Sequence, residues 1–78
     1  MALLQSDKFD RAEKYRNTIH KQTTATYTTF EEEGKKYFQI DTYGSEDRVM
    51  TEKISQSIQF DKSMAKKMID ILRIEFSL

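Results

Sequence analysis

Thr26-Tyr27-Thr28-Thr29-Phe30-Glu31-Glu32-Glu33-Gly34-Lys35-Lys36-Tyr37-Phe38-Gln39-Ile40-Asp41 is the stretch on which the fold turns. Thr, Tyr and Phe on both sides favour extended backbone. Gly34 can take the positive φ that a tight hairpin turn requires. A two-residue turn at Glu33 and Gly34 sets Glu32 opposite Lys35 and Glu31 opposite Lys36. Opposite charges then face each other across the ladder, which favours that register. Phe30 pairs with Tyr37, Thr29 with Phe38, Thr28 with Gln39 and Tyr27 with Ile40. One face therefore carries Tyr27, Thr29, Phe38 and Ile40; the other carries Thr26, Thr28, Phe30, Tyr37, Gln39 and Asp41. A turn one residue longer or shorter would flip one strand against the other.

Working outward, Gly44 marks a turn after the second strand. Residues 46–53 are mostly polar, with Val49 and Met50 as a short candidate strand. Residues 54–60 alternate: Ile54, Gln56, Ile58 and Phe60 on one face, Ser55, Ser57 and Gln59 on the other. Asp61 is a good N-cap, and residues 62–76 have helical periodicity. Met64, Ala65, Met68, Ile69, Leu72 and Phe76 form one stripe; Lys62, Lys66, Asp70 and Arg73 lie opposite. Ile71, Ile74 and Leu78 make a second apolar edge, outside the core stripe. Phe38, Ile40, Ile58, Phe60, Met68 and Leu72 are the expected core. Residues 1–21 are charge-dense and read as an N-terminal arm, with a short helix near residues 6–15 capped by Ser6 or Asp7 and with Phe9 and Tyr15 docking on the body. The expected architecture is α+β: a three- or four-stranded antiparallel sheet with one C-terminal helix packed on one face. The arm spans residues 1–21 and the sheet-plus-helix domain residues 22–78.

Composition bounds the function. The chain has 78 residues, enough for one domain, and its 13 basic and 13 acidic side chains cancel. Net neutrality argues against bulk electrostatic capture of polyanions but leaves room for a local basic patch. There is no Cys, hence no disulfide framework and no thiolate metal site. No stretch approaches a membrane span, and the first residues lack the basic and apolar regions of a signal peptide, so a cytoplasmic protein is expected.

Catalytic chemistry finds little support. His20 is the only histidine and lacks a ligand partner. Glu31, Glu32 and Glu33 alternate between faces and are opposed by lysines, which describes a solvated hairpin tip rather than a calcium cage. Gly44-Ser45 lacks the surroundings of a nucleophile elbow, and two isolated glycines make no phosphate loop. Asp41 with Glu46 or Asp47 would pair carboxylates without a third group. No enzyme, cofactor or metal is expected.

The informative feature is the sheet face turned away from the helix. Thr28, Phe30, Tyr37, Gln39, Tyr43, Ser55 and Ser57 offer rings for stacking and adaptable hydrogen bonds. Arg48 and Lys53, with Lys21, Lys35 and Lys36, supply cations around the rim. Single-stranded nucleic acid is held by such platforms. The same composition suits an ordinary solvated sheet or a protein interface, where Tyr is enriched. A homodimer through Ile71, Ile74 and Leu78 is expected, because a domain this small gains from a second core.

From about residue 26 to residue 76 the chain resembles the transcriptional coactivator family of positive cofactor four and its small bacterial relatives. The likeness lies in the turn at Gly34-Lys35, in Tyr37-Phe38-Gln39-Ile40-Asp41 leading to Tyr43, in Lys53-Ile54-Ser55 entering a strand, and in a terminal helix after Asp61. It implies four antiparallel strands and a helix, dimerisation through that helix, and single-stranded DNA on curved sheets. Tyr37-Phe38-Gln39-Ile40-Asp41-Thr42-Tyr43-Gly44-Ser45 and Ser55-Gln56-Ser57 are also similar to short bacterial proteins of accessory genes, a likeness that implies no activity.

Overall fold

The computed structural model describes residues 1–45 and 53–78. Its centre is the hairpin of β2 (Thr23–Glu32) and β3 (Lys35–Ser45). Glu33 and Gly34 both take positive φ, 51° and 78°, as a two-residue turn matched to strand twist demands. The register is the expected one, with Phe30 opposite Tyr37, Thr28 opposite Gln39 and Glu32 opposite Lys35. Gly44, expected to end the strand, instead lies inside β3 at φ 75°, where the ladder shifts register between Thr23 and Ala25. Val49 and Met50, the short candidate strand, lie outside the described residues.

β4 (Gln56–Asp61) joins the free side of β3 antiparallel, setting Phe60 opposite Phe38, Ile58 opposite Ile40 and Ser57 opposite Asp41. The sheet then departs from the all-antiparallel expectation. Part of the arm forms β1 (Ala2–Leu4), which pairs parallel to β4 and gives the order β1-β4-β3-β2. The direction follows from what each strand feeds. β4 runs straight into the helix, and β1 runs into a single 3₁₀ turn (Ser6–Lys8) beside that helix, where the Ser6 and Ser63 hydroxyls are 2.7 Å apart and Lys67 Nζ donates to the Ser6 carbonyl at 2.6 Å. The helix expected over residues 6–15 is reduced to that turn. Phe9 is partly buried, but Tyr15 is 95% exposed and does not dock. A segment so poor in apolar residues has too little to bury.

α1 (Lys62–Phe76) begins with no loop after β4. Asp61 caps it, accepting from the Met64 N–H at 3.0 Å, and Ser77 closes it in the left-handed region. The core sits where its first turns meet the sheet. Phe60 and Met64 are buried, and Phe38 stacks on Phe60 and Tyr27 with ring centroids 5.1 Å away in each case. Here the expected core needs correction: of its six members only Phe60 is buried, Phe38, Ile40 and Met68 are half-buried, and Ile58 and Leu72 are exposed. Along the apolar stripe Met64 is buried, whereas Ile69, Leu72 and Phe76 are 54%, 41% and 70% exposed. No helix is long and apolar enough to cross a membrane among the described residues.

So thin a core makes each of its members costly to lose. Phe60→Ala is expected to lower stability by about 3–5 kcal/mol, read as the shift of the urea unfolding midpoint. A change below about 1 kcal/mol would place the core elsewhere.

Candidate nucleic-acid interface

Strand alternation puts Phe30, Thr28 and Thr26 of β2, Tyr37, Gln39, Asp41 and Tyr43 of β3, and Ser57 and Gln59 of β4 on the face opposite Phe38 and Phe60. This face divides into three parts.

The middle is a closed hydrogen-bond network. Asp41 is only 5% exposed. Its carboxylate accepts from Gln39 Nε2 at 2.9 and 3.1 Å, and also from the Ser57 hydroxyl. Gln59 Nε2 in turn donates to Gln39 Oε1 at 2.7 Å. Ladder pairing produces this arrangement, since Ser57 lies opposite Asp41 and Gln59 opposite Gln39. No buried side-chain nitrogen or oxygen is left without a partner among the described residues. The amides that looked adaptable in the sequence are thus engaged with one another above a carboxylate.

At the end remote from the hairpin turn, the Thr26 and Tyr43 hydroxyls lie 2.9 Å apart and the Thr23 hydroxyl donates to the Gly44 carbonyl. The turn end is chemically different. Phe30 and Tyr37 stack with centroids 5.4 Å apart and planes 22° from parallel, and both rings stay partly accessible. The Lys35 ammonium sits 5.8 Å from the centre of the Tyr37 ring, within cation–π range. It also reaches Asp61 Oδ2 at 3.3 Å. The Met64 N–H foremost, then the Lys35 ammonium, hold the Asp61 carboxyl below its ordinary value against the opposing effect of desolvation. Beside this group a cleft of about 620 Å³ opens between the hairpin tip and the start of α1, lined by Gly34, Lys35, Lys36, Asp61, Lys62, Ser63 and Lys66.

The structure gathers Thr28, Phe30, Tyr37, Gln39 and Ser57 on the expected face, with Tyr43 at its far end. Ser55 precedes β4 and is tied by its N–H to the Thr42 carbonyl at 2.7 Å. Lys53 is exposed beyond the start of β4, on the side away from the turn, so it does not join Phe30 and Tyr37. Arg48 lies outside the described residues, as do Glu46 and Asp47. Ile71 and Ile74 on α1 and Leu78 just beyond it are all exposed, with Ile74 at 78%. Sequence reasoning passed over Lys62 and Lys66, which read as the solvated side of a helix; the one signal for them was their nearness to the Asp61 cap. Among the described residues no three His, Cys, Asp or Glu side chains are grouped so as to hold a metal ion, and His20 is exposed. The chain matches no protein-family model, no curated protein and no solved structure.

The Asp41 network rests on an acceptor that only a carboxylate supplies in full. Asp41→Asn would aim an amide N–H₂ at groups that are themselves donating. It is expected to cost about 1–3 kcal/mol in urea unfolding, and a midpoint equal to that of the parent chain would show the network to be idle.

Proposed function

We propose that this chain is a homodimeric binding module that takes single-stranded nucleic acid on the turn end of its exposed sheet face. The observation that carries the reading is the Phe30 and Tyr37 ring pair with the Lys35 ammonium over Tyr37. Rings beside a cation are what an unpaired base and its phosphate need, and they tolerate any base because every base has a π-face. The Asp41 network supplies a stiff floor rather than contacts. Gln39, Ser57 and Thr28 then frame the platform, while Tyr43, Ser55 and Lys53 flank its far end. The module acts by binding, without a catalytic group, a cofactor or a metal, and the setting proposed is the cytoplasm. The likeness to the positive cofactor four family, whose members bind single-stranded DNA as dimers, points the same way.

The dimer is supported by what α1 leaves uncovered. Ile69, Leu72 and Phe76 of the stripe and Ile71, Ile74 and Leu78 of the edge are exposed together. A fully buried side chain of this kind contributes about 1.5–3 kcal/mol, so a few on each of two chains support association. A two-fold contact sets the same helix surface against itself.

A second reading has its own observation. β2 is ten residues long and stands at the edge of the sheet, with one side of its backbone unpaired among the described residues. An extended segment of a partner protein adds to such an edge by main-chain hydrogen bonds. This is the adaptor alternative, without nucleic acid.

Fluorescence anisotropy with a labelled oligothymidylate separates the two. Binding that weakens as salt rises, and that Tyr37→Ala weakens by about 1–3 kcal/mol, is the expected result. No binding at low salt would leave the adaptor reading standing. Sedimentation at micromolar concentration should give a dimer that Ile74→Asp converts to monomer. A parent chain already monomeric there would remove the dimer from the proposal.

A further inference from the structure

Resting on the single-strand reading above, we infer that the lysine cleft between the hairpin tip and the start of α1 seats the phosphodiester groups of the bound strand, next to the rings that stack its bases. In a chain whose charges cancel, this one cleft gathers Lys35 and Lys36 from β3 and Lys62 and Lys66 from α1 against the single carboxylate of Asp61. That carboxylate is already occupied, accepting from the Met64 N–H at 3.0 Å and from Lys35 Nζ at 3.3 Å. Lys36, Lys62 and Lys66 make no ion pair among the described residues. Three ammonium groups therefore line the cleft without a close ion pair, although Lys36 has Glu31 across the ladder and Lys66 has Asp7 and Asp70 on its far side. A phosphodiester carries its charge at every working pH, and lysine meets it as a mobile point charge.

An adjoining hollow shares Lys36, Asp61 and Lys62 with this cleft, and two others lack its bias. The one beside the 3₁₀ turn sets Lys66 and Lys67 against Asp7 and Asp70, and the one beside β1 is lined by Met1, Ala2, Leu3, Gln39, Ser57 and Gln59. The hairpin tip itself is polarised. Glu31, Glu32 and Glu33 lie on the β2 side of the turn and none of them lines the cleft, whereas Lys35 and Lys36 on the β3 side do. An anionic strand is thus repelled from the outer edge and drawn inward between β3 and α1. Lys35 joins the two subsites, with its ammonium 5.8 Å from the Tyr37 ring and its side chain on the cleft wall. The path predicted for the strand rounds the turn end of the sheet, from the rings on the open face past Lys35 to Lys36 on the helix side. It avoids the middle, where Asp41 lies beneath amides that are already engaged.

The test is anisotropy of a labelled oligothymidylate with the full chain, titrated at several salt concentrations between about 50 and about 200 mM. Lys62→Gln with Lys66→Gln removes two cleft ammoniums and keeps good helix formers at both positions. The slope of log K against log salt is expected to become shallower by about 1.4, two single-strand phosphate contacts' worth. Lys36→Gln, on the hairpin, is expected to take about 0.7 from the slope and gives an arm that does not touch the helix. Tyr37→Ala should weaken binding with the slope kept, and Lys14→Gln in the arm should change neither. Parent binding with the slope unaltered in both cleft variants would overturn the cleft and leave the stacking platform in place. A parent chain that binds no oligothymidylate at low salt would overturn both.

Discussion

A slip of one residue at the turn of Glu33 and Gly34 would carry Phe38 and Ile40 to the face now held by Gln39 and Asp41. That is how much of the molecule hangs on one pair of positive φ angles. With the turn in place, Phe38 falls opposite Phe60 and stacks on it, which gives α1 an apolar surface to land on. The same register sets Asp41 opposite Ser57 and Gln39 opposite Gln59, which closes the polar network on the other side. Core and exposed face are therefore two consequences of one backbone constraint. A change made on either face to alter binding also acts on the pairing that supports the opposite one.

Asp61 is the second junction. It ends β4, caps α1 and pairs with Lys35 across the cleft mouth. The helix packs through Met64, with Ala65 and Met68 half-buried, and leaves Ile69, Leu72 and Phe76 of its apolar stripe uncovered. In a domain with only Phe60 and Met64 buried among its described apolar side chains, that uncovered surface is the largest reserve of further stabilisation. Under the proposed function, the arrangement that leaves room for a second copy also holds Lys62 and Lys66 beside the hairpin, so assembly and ligand binding share one structural origin.

The exposed face shows why residue type and residue availability differ. Gln and Ser count as adaptable donors in any composition-based reading, yet Gln39, Gln59 and Ser57 are engaged with each other and with Asp41. A ligand would have to break those bonds before making its own, with little net gain. The rings of Phe30 and Tyr37 have no such prior commitment on their open sides. A π-face needs no hydrogen-bond partner to be satisfied, so it stays available even when half-buried.

The sequence by itself determined the hairpin, its register and the helix. Each is written in neighbours: the turn at Glu33 and Gly34, the charges that oppose across Glu31 and Lys36, the Asp61 cap and the periodic stripe from Met64 to Phe76. The alternation of Ile58 and Phe60 with Ser57 and Gln59 told which side of β4 faces the core. Only the tertiary structure decided that Ala2–Leu4 would pair parallel to β4, that the helix would leave Leu72 and Ile58 open, and that Lys62 and Lys66 would face Lys35 and Lys36 across a cleft. Those outcomes join residues some 26 to 56 positions apart. Their geometry depends on the angle at which α1 leaves β4 and on which backbone edge is left unpaired. Neither quantity is carried by the identity of any neighbouring residue, because both emerge when separate elements compete to cover the same apolar surface and the same free backbone groups.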